Sequence, residues 1–237
     1  MRSPQGRPVP PFYARDLAFV HDVGFGDFAR DAAPGLLRRL RRAGIADGLV
    51  VDLGCGSGIW ARALTDAGYD VLGVDPSAAM LRIARRRAPR ARYERASVLD
   101  FTPPPCAAIT ALGEVLCYAG SLEPLQRTGG ARLLLFDVAT PARARTVGTS
   151  VREGDGWVLC NEITAGADTL TRRITTFTRS GRTWRRADEE HVLRLFEPAE
   201  VVAELRRAGY DAQRLRSYGR EQRAYTGLAY FAATRRA

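Results

Sequence analysis

The residues best equipped for chemistry lie in Val50-Val51-Asp52-Leu53-Gly54-Cys55-Gly56-Ser57-Gly58. A short apolar run ends in a carboxylate, and glycines at alternate positions follow it. Such glycines let the chain turn sharply after a strand and let a ligand lie against bare backbone. The start of the next helix adds free N–H groups. Rossmann-like cofactor loops in general share this logic, so the details must select the ligand. The dinucleotide pattern G-x-G-x-x-G/A, counted from Gly54, calls for a small residue where this chain has Ile59; the third glycine is Gly58 instead. Asp52, just before the loop, is poorly placed beside a pyrophosphate. It suits a ligand that carries positive charge and no phosphate. A second carboxylate, Asp75, closes the run Val71-Leu72-Gly73-Val74, 21 residues after Gly54. An acid at that place can accept both hydroxyls of a ribose. Three residues are candidate proton acceptors: His21, Glu114 and His191. Each has a plainer reading: His21 as a turn cap, His191 as a structural strand residue, Glu114 as an anchor for backbone or cofactor.

The elements that must position these groups alternate. Residues 12–30 form an irregular helical cap broken by Gly24 and Gly26, and a helix follows over 34–43, with Pro34 at its start and Gly44 as its stop. Leu49–Leu53 is a strand buried on both faces. Helix 59–67, strand 70–74, helix 77–87, strand 91–96, strand 107–112 and strand 131–137 come next. This alternation predicts an α/β fold, a doubly wound and mostly parallel Rossmann-like sheet. Residues 150–195 then alternate Val, Thr, Ile and Phe, with Ser180-Gly181 as a hairpin turn, and predict an inserted small antiparallel β unit. Helix 198–208 and strands 212–217 and 227–234 complete the sheet. The expected organisation is a cap over 1–44, a cofactor-binding half over 45–145, an acceptor lid over 146–196, and a closing segment over 197–237.

Composition excludes several classes. The chain has 237 residues, 46% hydrophobic and 26% charged, as in ordinary globular proteins. No apolar run is long enough to cross a bilayer, and the polar, Pro-rich start does not read as a secretory signal. Cys55, Cys106, Cys117 and Cys160 form no CxxC pair and read as reduced residues in the cytoplasm. Two histidines cannot complete a zinc site of familiar spacing, so no metal is expected. The net charge of +10 could suggest nucleic acid, but every basic residue is Arg, as a GC-rich genome would choose. The runs Arg38–Arg42 and Arg85–Arg92 read as solvated helix faces.

Taken together, VVDLGCGSGIWARALTDAGYDVLGVDPSAAML, ASVLDF, AAITALGEVLCY and ARLLLFDVAT resemble the class I, seven-stranded methyltransferases over roughly 45–235. The resemblance implies S-adenosylmethionine as cofactor, and its ammonium and sulfonium match the acidic loop. It also implies that Gly54, Cys55 and Gly56 line the methionine part, with Asp52 below, and that Asp75 holds the ribose. Ser97 and Val98 would contact the adenine, although the family more often has Asp at the Ser97 position. Pro76 and Met80 would flank the adenine, and Gly113 and Glu114 would face the reacting methyl. Tyr13 and Phe25 of the cap would be aromatic neighbours of that methyl. Only 18 residues separate Leu112 from Ala131, where the family fits a fuller helix.

The expected activity is methyl transfer to a small-molecule O or N acceptor by a monomer or homodimer. No membrane or nucleic-acid partner is expected. The Asp/Asn-Pro-Pro-aromatic turn of base-amine methylation is missing after the fourth strand, which continues Leu112-Gly113-Glu114-Val115. The Pro-Cys nucleophile of cytosine C5 methylation is missing there as well. An RNA or protein methyltransferase, a nicotinamide oxidoreductase and a non-methylating cofactor binder remain as alternatives.

Overall fold

A computed structural model describes residues 12–236. Its frame is a seven-stranded sheet made from β1 (Leu49–Leu53), β2 (Asp70–Val74), β3 (Arg92–Glu94), β4 (Ala108–Ala111), β5 (Leu133–Ala139), β10 (Tyr210–Leu215) and β11 (Leu228–Arg235), in the order β10-β11-β5-β4-β1-β2-β3. β1 to β5 pair in parallel, and β11 lies antiparallel to β5. Every residue of β5 is buried, as an interior strand of a sheet covered on both faces requires. One core cluster, with Val51, Phe136 and Phe231, fills one face; another, with Val50, Leu135 and Tyr230, fills the other. Neighbouring β-strand residues thus divide between two cores.

The helices follow the expected alternation: α1 (Arg15–Gly24), α2 (Asp27–Arg42), α3 (Ile59–Asp66), α4 (Ala78–Arg87), α5 (Val115–Ala119) and α6 (Pro198–Arg207). One expectation needs correction. Pro34 does not start α2 but lies inside it. Ala32, Ala33, Leu36 and Leu40 are buried on both sides of the proline, so the packing of one continuous face outweighs the lost backbone donor. β3 is shorter than its sequence pattern, with only three paired residues, because it is the sheet edge. The connection after β4 holds the five-residue α5 and a 3-10 turn, Glu123–Gln126, in place of a full helix.

Between β5 and α6 the chain builds a second sheet: β6 (Gly148–Gly154), β7 (Trp157–Ala165), β8 (Thr169–Ser180) and β9 (Thr183–Arg194), all antiparallel and in sequence order. Trp157, Leu159 and Ile174 on its inner face pack against Leu17 and Val20 of α1, with Tyr13 and Phe25 at the margin. The insertion is thereby clamped onto the N-terminal cap. No helix among the described residues is long and apolar enough to cross a membrane.

Candidate active site

β1 and β4 are neighbours, with β2 on the far side of β1, so a crevice opens at their carboxyl ends, where ligands of doubly wound sheets bind. In the turn after β1, Gly54, Gly56 and Gly58 have φ of 64°, 51° and 78°, a region that side chains disfavour. A Cβ on Gly54 would also collide with Val115 of α5. Gly56 N and Ser77 N donate to Asp75 Oδ2 and Oδ1 at 2.9 and 2.8 Å. Asp75 therefore ties together the loops after β1 and β2. Asp52 is 2% exposed and, among the described residues, accepts a single hydrogen bond, from Thr110 Oγ1 at 2.8 Å. Trp60 Nε1 donates to that threonine in turn, at 3.1 Å. Neither carboxylate has a cationic side chain as partner among the described residues.

Burial pushes Asp52 up to about 7, against the opposing Thr110 hydrogen bond and with help from Asp75. Burial also lifts Asp75 to about 6, although two backbone N–H groups oppose the rise. Two buried carboxylates beside a glycine loop form a site that gains by receiving a cation. The consequence for stability has a definite sign. Both folded-state values lie above that of an unfolded aspartate. Their stabilising contribution is complete below the ordinary carboxylate range and is lost as pH rises through about 6 to 7. The melting temperature of the free chain is expected to fall by several degrees between pH 5 and 8. Asp52→Asn is expected to flatten that fall in a thermal-denaturation series.

The turn after β4 is held from the next strand. Asp137 of β5 is fully buried and accepts from Gly113 N at 2.9 Å, Glu114 N at 2.7 Å and Tyr218 Oη at 2.8 Å. This keeps Glu114 in the left-handed region, φ 67°. The Glu114 side chain is not free to act as a base. Its Oε2 accepts from Arg172 Nη2 at 2.7 Å, and its Oε1 lies 3.2 Å from Arg143 Nε without hydrogen-bond alignment. Burial disfavours the Arg172 charge, but the Glu114 carboxylate overcomes it and holds the guanidinium above its usual value.

The N-terminal segment and the inserted sheet converge beside this turn. Tyr13, Tyr118 and His191 form an aromatic group with ring centroids 5.1 to 6.1 Å apart, and His21 meets Tyr13 edge-on at 5.0 Å and stacks on Phe25 at 5.8 Å. Arg152 of β6 lies over the Phe25 ring, 4.4 Å from its centroid. His191 Nε2 lies 2.9 Å from Glu189 Oε2. That carboxylate also accepts from Tyr13 N at 2.8 Å and Ala14 N at 2.9 Å. A carboxylate only accepts, so Nε2 is the nitrogen that donates to Glu189, while Nδ1 faces Tyr118 Oη at 3.4 Å. Tyr118 Oη lies 3.0 Å from Tyr13 Oη and accepts from Arg172 Nη1 at 3.3 Å. Burial raises both phenols, so both stay protonated at neutral pH. Burial lowers His21 to about 4, so its imidazole is neutral there. Tyr13 itself is strained, with φ 50°, and its carbonyl accepts from Ser77 Oγ at 2.6 Å. The N-terminal segment is thus pinned at once to the inserted sheet and to the loop after β2.

The structure brings His21, His191, Tyr13 and Phe25 into one cluster and places Glu114 beneath it, bound to arginines. Gly54, Cys55, Gly56 and Gly58 form the loop below. Cys55 is buried and its thiol is pushed well up by that burial, so it is not a nucleophile. Met80 is buried in α4, with its N–H on Ser77 Oγ at 3.1 Å, and the Pro76 carbonyl accepts from Arg95 Nε at 3.1 Å. Ser97 and Val98 lie in the turn after β3, where Ser97 Oγ accepts from Leu99 N at 3.2 Å. Sequence reasoning missed Tyr118, Arg172, Asp137 and Glu189. Glu189 was within reach, since it stands two residues before His191 and must share its face of a strand. Asp137 was within reach too, as the one charge in an apolar run. Arg87, read as part of a solvated run, instead reaches Asp22 at 2.6 Å and Ser57 O at 2.7 Å and joins the cap to the glycine loop.

Comparison with known proteins bears on the domain and the fold. Residues 50–129 match a family model described as a methyltransferase domain. A trans-aconitate 2-methyltransferase of Rhodopseudomonas palustris is 46% identical over 26% of this chain and 25% of its own. A dTDP-3-amino-3,6-dideoxy-alpha-D-glucopyranose N,N-dimethyltransferase of Streptomyces fradiae is 36% identical over 38% of this chain and 36% of its own. The matches thus span only about a quarter to a third of these curated relatives. The crystal structure of an S-adenosylmethionine-dependent methyltransferase from Clostridium acetobutylicum superposes with a TM-score of 0.78, covering 93% of this chain and 98% of that one at 16% identity. The fold is that of the class I methyltransferases.

Proposed function

We propose that this chain, which carries a methyltransferase domain on the class I fold, transfers a methyl group from S-adenosylmethionine to an oxygen or nitrogen of a small molecule. The observation that supports this most directly is a pair of buried carboxylates, Asp52 and Asp75, without cationic partners among the described residues, around a glycine loop beside an aromatic–histidine cluster. A cofactor with an ammonium, a ribose and no phosphate fits that donor set. Asp52 would meet the ammonium, and Asp75, whose oxygens each keep a lone pair after their backbone bonds, would accept the ribose hydroxyls. Pro76, Met80, Ser97 and Val98 would flank the adenine. When bound, the sulfonium supplies a methyl group already activated for transfer.

The remaining work falls to this chain's own residues. The cap and the inserted sheet exclude water and hold the acceptor in line. Tyr13, Phe25 and His21 give that enclosure an apolar, aromatic wall. His191 Nδ1 takes the acceptor's proton, directly or through the Tyr118 hydroxyl, and Glu189 orients the ring and stabilises the imidazolium that results. Arg172 positions Tyr118 and neutralises Glu114. An enclosed site of this kind favours a small metabolite over a polymer, and the two curated relatives act on small molecules by name. Four free thiols suit the cytoplasm.

The test is label transfer from methyl-tritiated S-adenosylmethionine to a panel of small acids, amino sugars and phenols, with bulk RNA and protein in parallel. Label in at least one small molecule and none in the polymers is expected. Label in RNA or protein alone would overturn the small-molecule reading.

A further inference from the structure

Away from the aromatic–histidine cluster, α1, α4 and the β8–β9 hairpin enclose a groove of about 700 Å3. Five arginines line it, Arg15, Arg82, Arg86, Arg179 and Arg185, against one acid, Asp16. Two of the five are already paired: Arg185 Nε with Asp16 at 2.6 Å, and Arg179 Nη2 with Asp155 at 2.7 Å. Arg15, Arg82 and Arg86 have no carboxylate partner among the described residues, and residues 1–11 contain no Asp or Glu. Each helix presents the same arrangement, an arginine and an apolar side chain on one face: Arg15 with Phe19 on α1, Arg82 and Arg86 with Ile83 on α4. Phe19 is 43% exposed, an uncovered ring at the groove wall.

Solvated arginines on a convex helix would need no explanation. Here three unpaired guanidiniums converge on a concavity and repel one another, a cost that a bound anion removes. Guanidinium matches phosphate in planar, paired hydrogen bonds. The volume is that of a small-molecule site and the shape is concave, which favours a compact ligand over an acidic protein surface.

We propose that this groove binds a diphosphate-bearing small molecule of nucleotide size. Arg15, Arg82 and Arg86 take the phosphates, and Phe19 and Ile83 take the ring portion. The site is separate from the cofactor crevice. It uses the outer face of α4, whose other face, Met80, Leu81 and Ala84, is buried. Along β9, Arg185 and His191 stand roughly 20 Å apart at the usual rise per residue. The proposal does not depend on methyl transfer.

The experiment is calorimetric titration of inorganic pyrophosphate and of thymidine diphosphate into the full chain, with and without saturating S-adenosylhomocysteine. Both probes are expected to bind, the nucleotide more tightly, and S-adenosylhomocysteine should leave both unaffected. R82E/R86E should weaken both by tenfold or more (~1.4 kcal/mol). R41E/R42E on α2, with the same change of net charge, should have little effect. Phe19→Ala should abolish the advantage of the nucleotide over pyrophosphate. All these positions are exposed, so the variants are expected to fold, as circular dichroism would check. No binding at millimolar probe, equal loss in both charge variants, or displacement by S-adenosylhomocysteine would each overturn the proposal.

Discussion

His191→Gln is expected to lower turnover by about 10²- to 10⁴-fold, the range that a positioned proton acceptor contributes. Affinity for S-adenosylhomocysteine should hardly change, because His191 reaches the cofactor loops only through other residues. The two readouts separate a chemical role from a structural one. Glu189 gives the contrast. It holds the His191 ring and also accepts from Tyr13 N and Ala14 N. Its loss should release the cap and reduce both turnover and cofactor affinity, whereas Glu189→Gln, which keeps the shape, should reduce turnover more than affinity. Single-turnover rates beside binding constants would check this. Unchanged turnover in His191→Gln would leave proximity and water exclusion as the whole mechanism.

Asp137→Ala is expected to cost about 3–5 kcal/mol of stability, the range for removing one side of a buried charged network. Three donors, Gly113 N, Glu114 N and Tyr218 Oη, would be left without their acceptor in a fully buried place. For a chain of this size that is a fall in Tm of roughly 10 °C. Asp137→Asn retains one carbonyl acceptor and should cost less. Urea denaturation of both variants measures the difference. The carboxyl is raised to about 6 by burial, against three opposing hydrogen bonds, so its stabilising contribution also declines as pH passes upward through that value.

The parallel half of the fold was legible because its signals are local. A run of apolar residues, a glycine turn and a helix cap sit side by side in the chain, and β1, α3, β2 and α4 fall where those signals put them. The inserted antiparallel sheet was legible as alternation, and its hairpin at Ser180-Gly181 as turn chemistry. What the local pattern lacks is register. Arg172 stands opposite His191 across β8 and β9, and that pairing follows only once the hairpin is closed. Glu114 looked like a base because its partners, Arg143 and Arg172, are 29 and 58 residues away along the chain. Pro34 misled for a related reason: a local helix signal gave way to a buried face that continues across it. The groove of Arg15, Arg82 and Arg86 joins two helices that no sequence spacing connects.

The identity of the cofactor carries the rest of the account. Isothermal titration of S-adenosylhomocysteine into the wild-type chain, beside Asp75→Ala, tests it most directly. One-to-one binding that the substitution weakens by tenfold or more, about 1.4 kcal/mol, is the expected result. A well-folded wild-type chain that takes up no S-adenosylhomocysteine would contradict it.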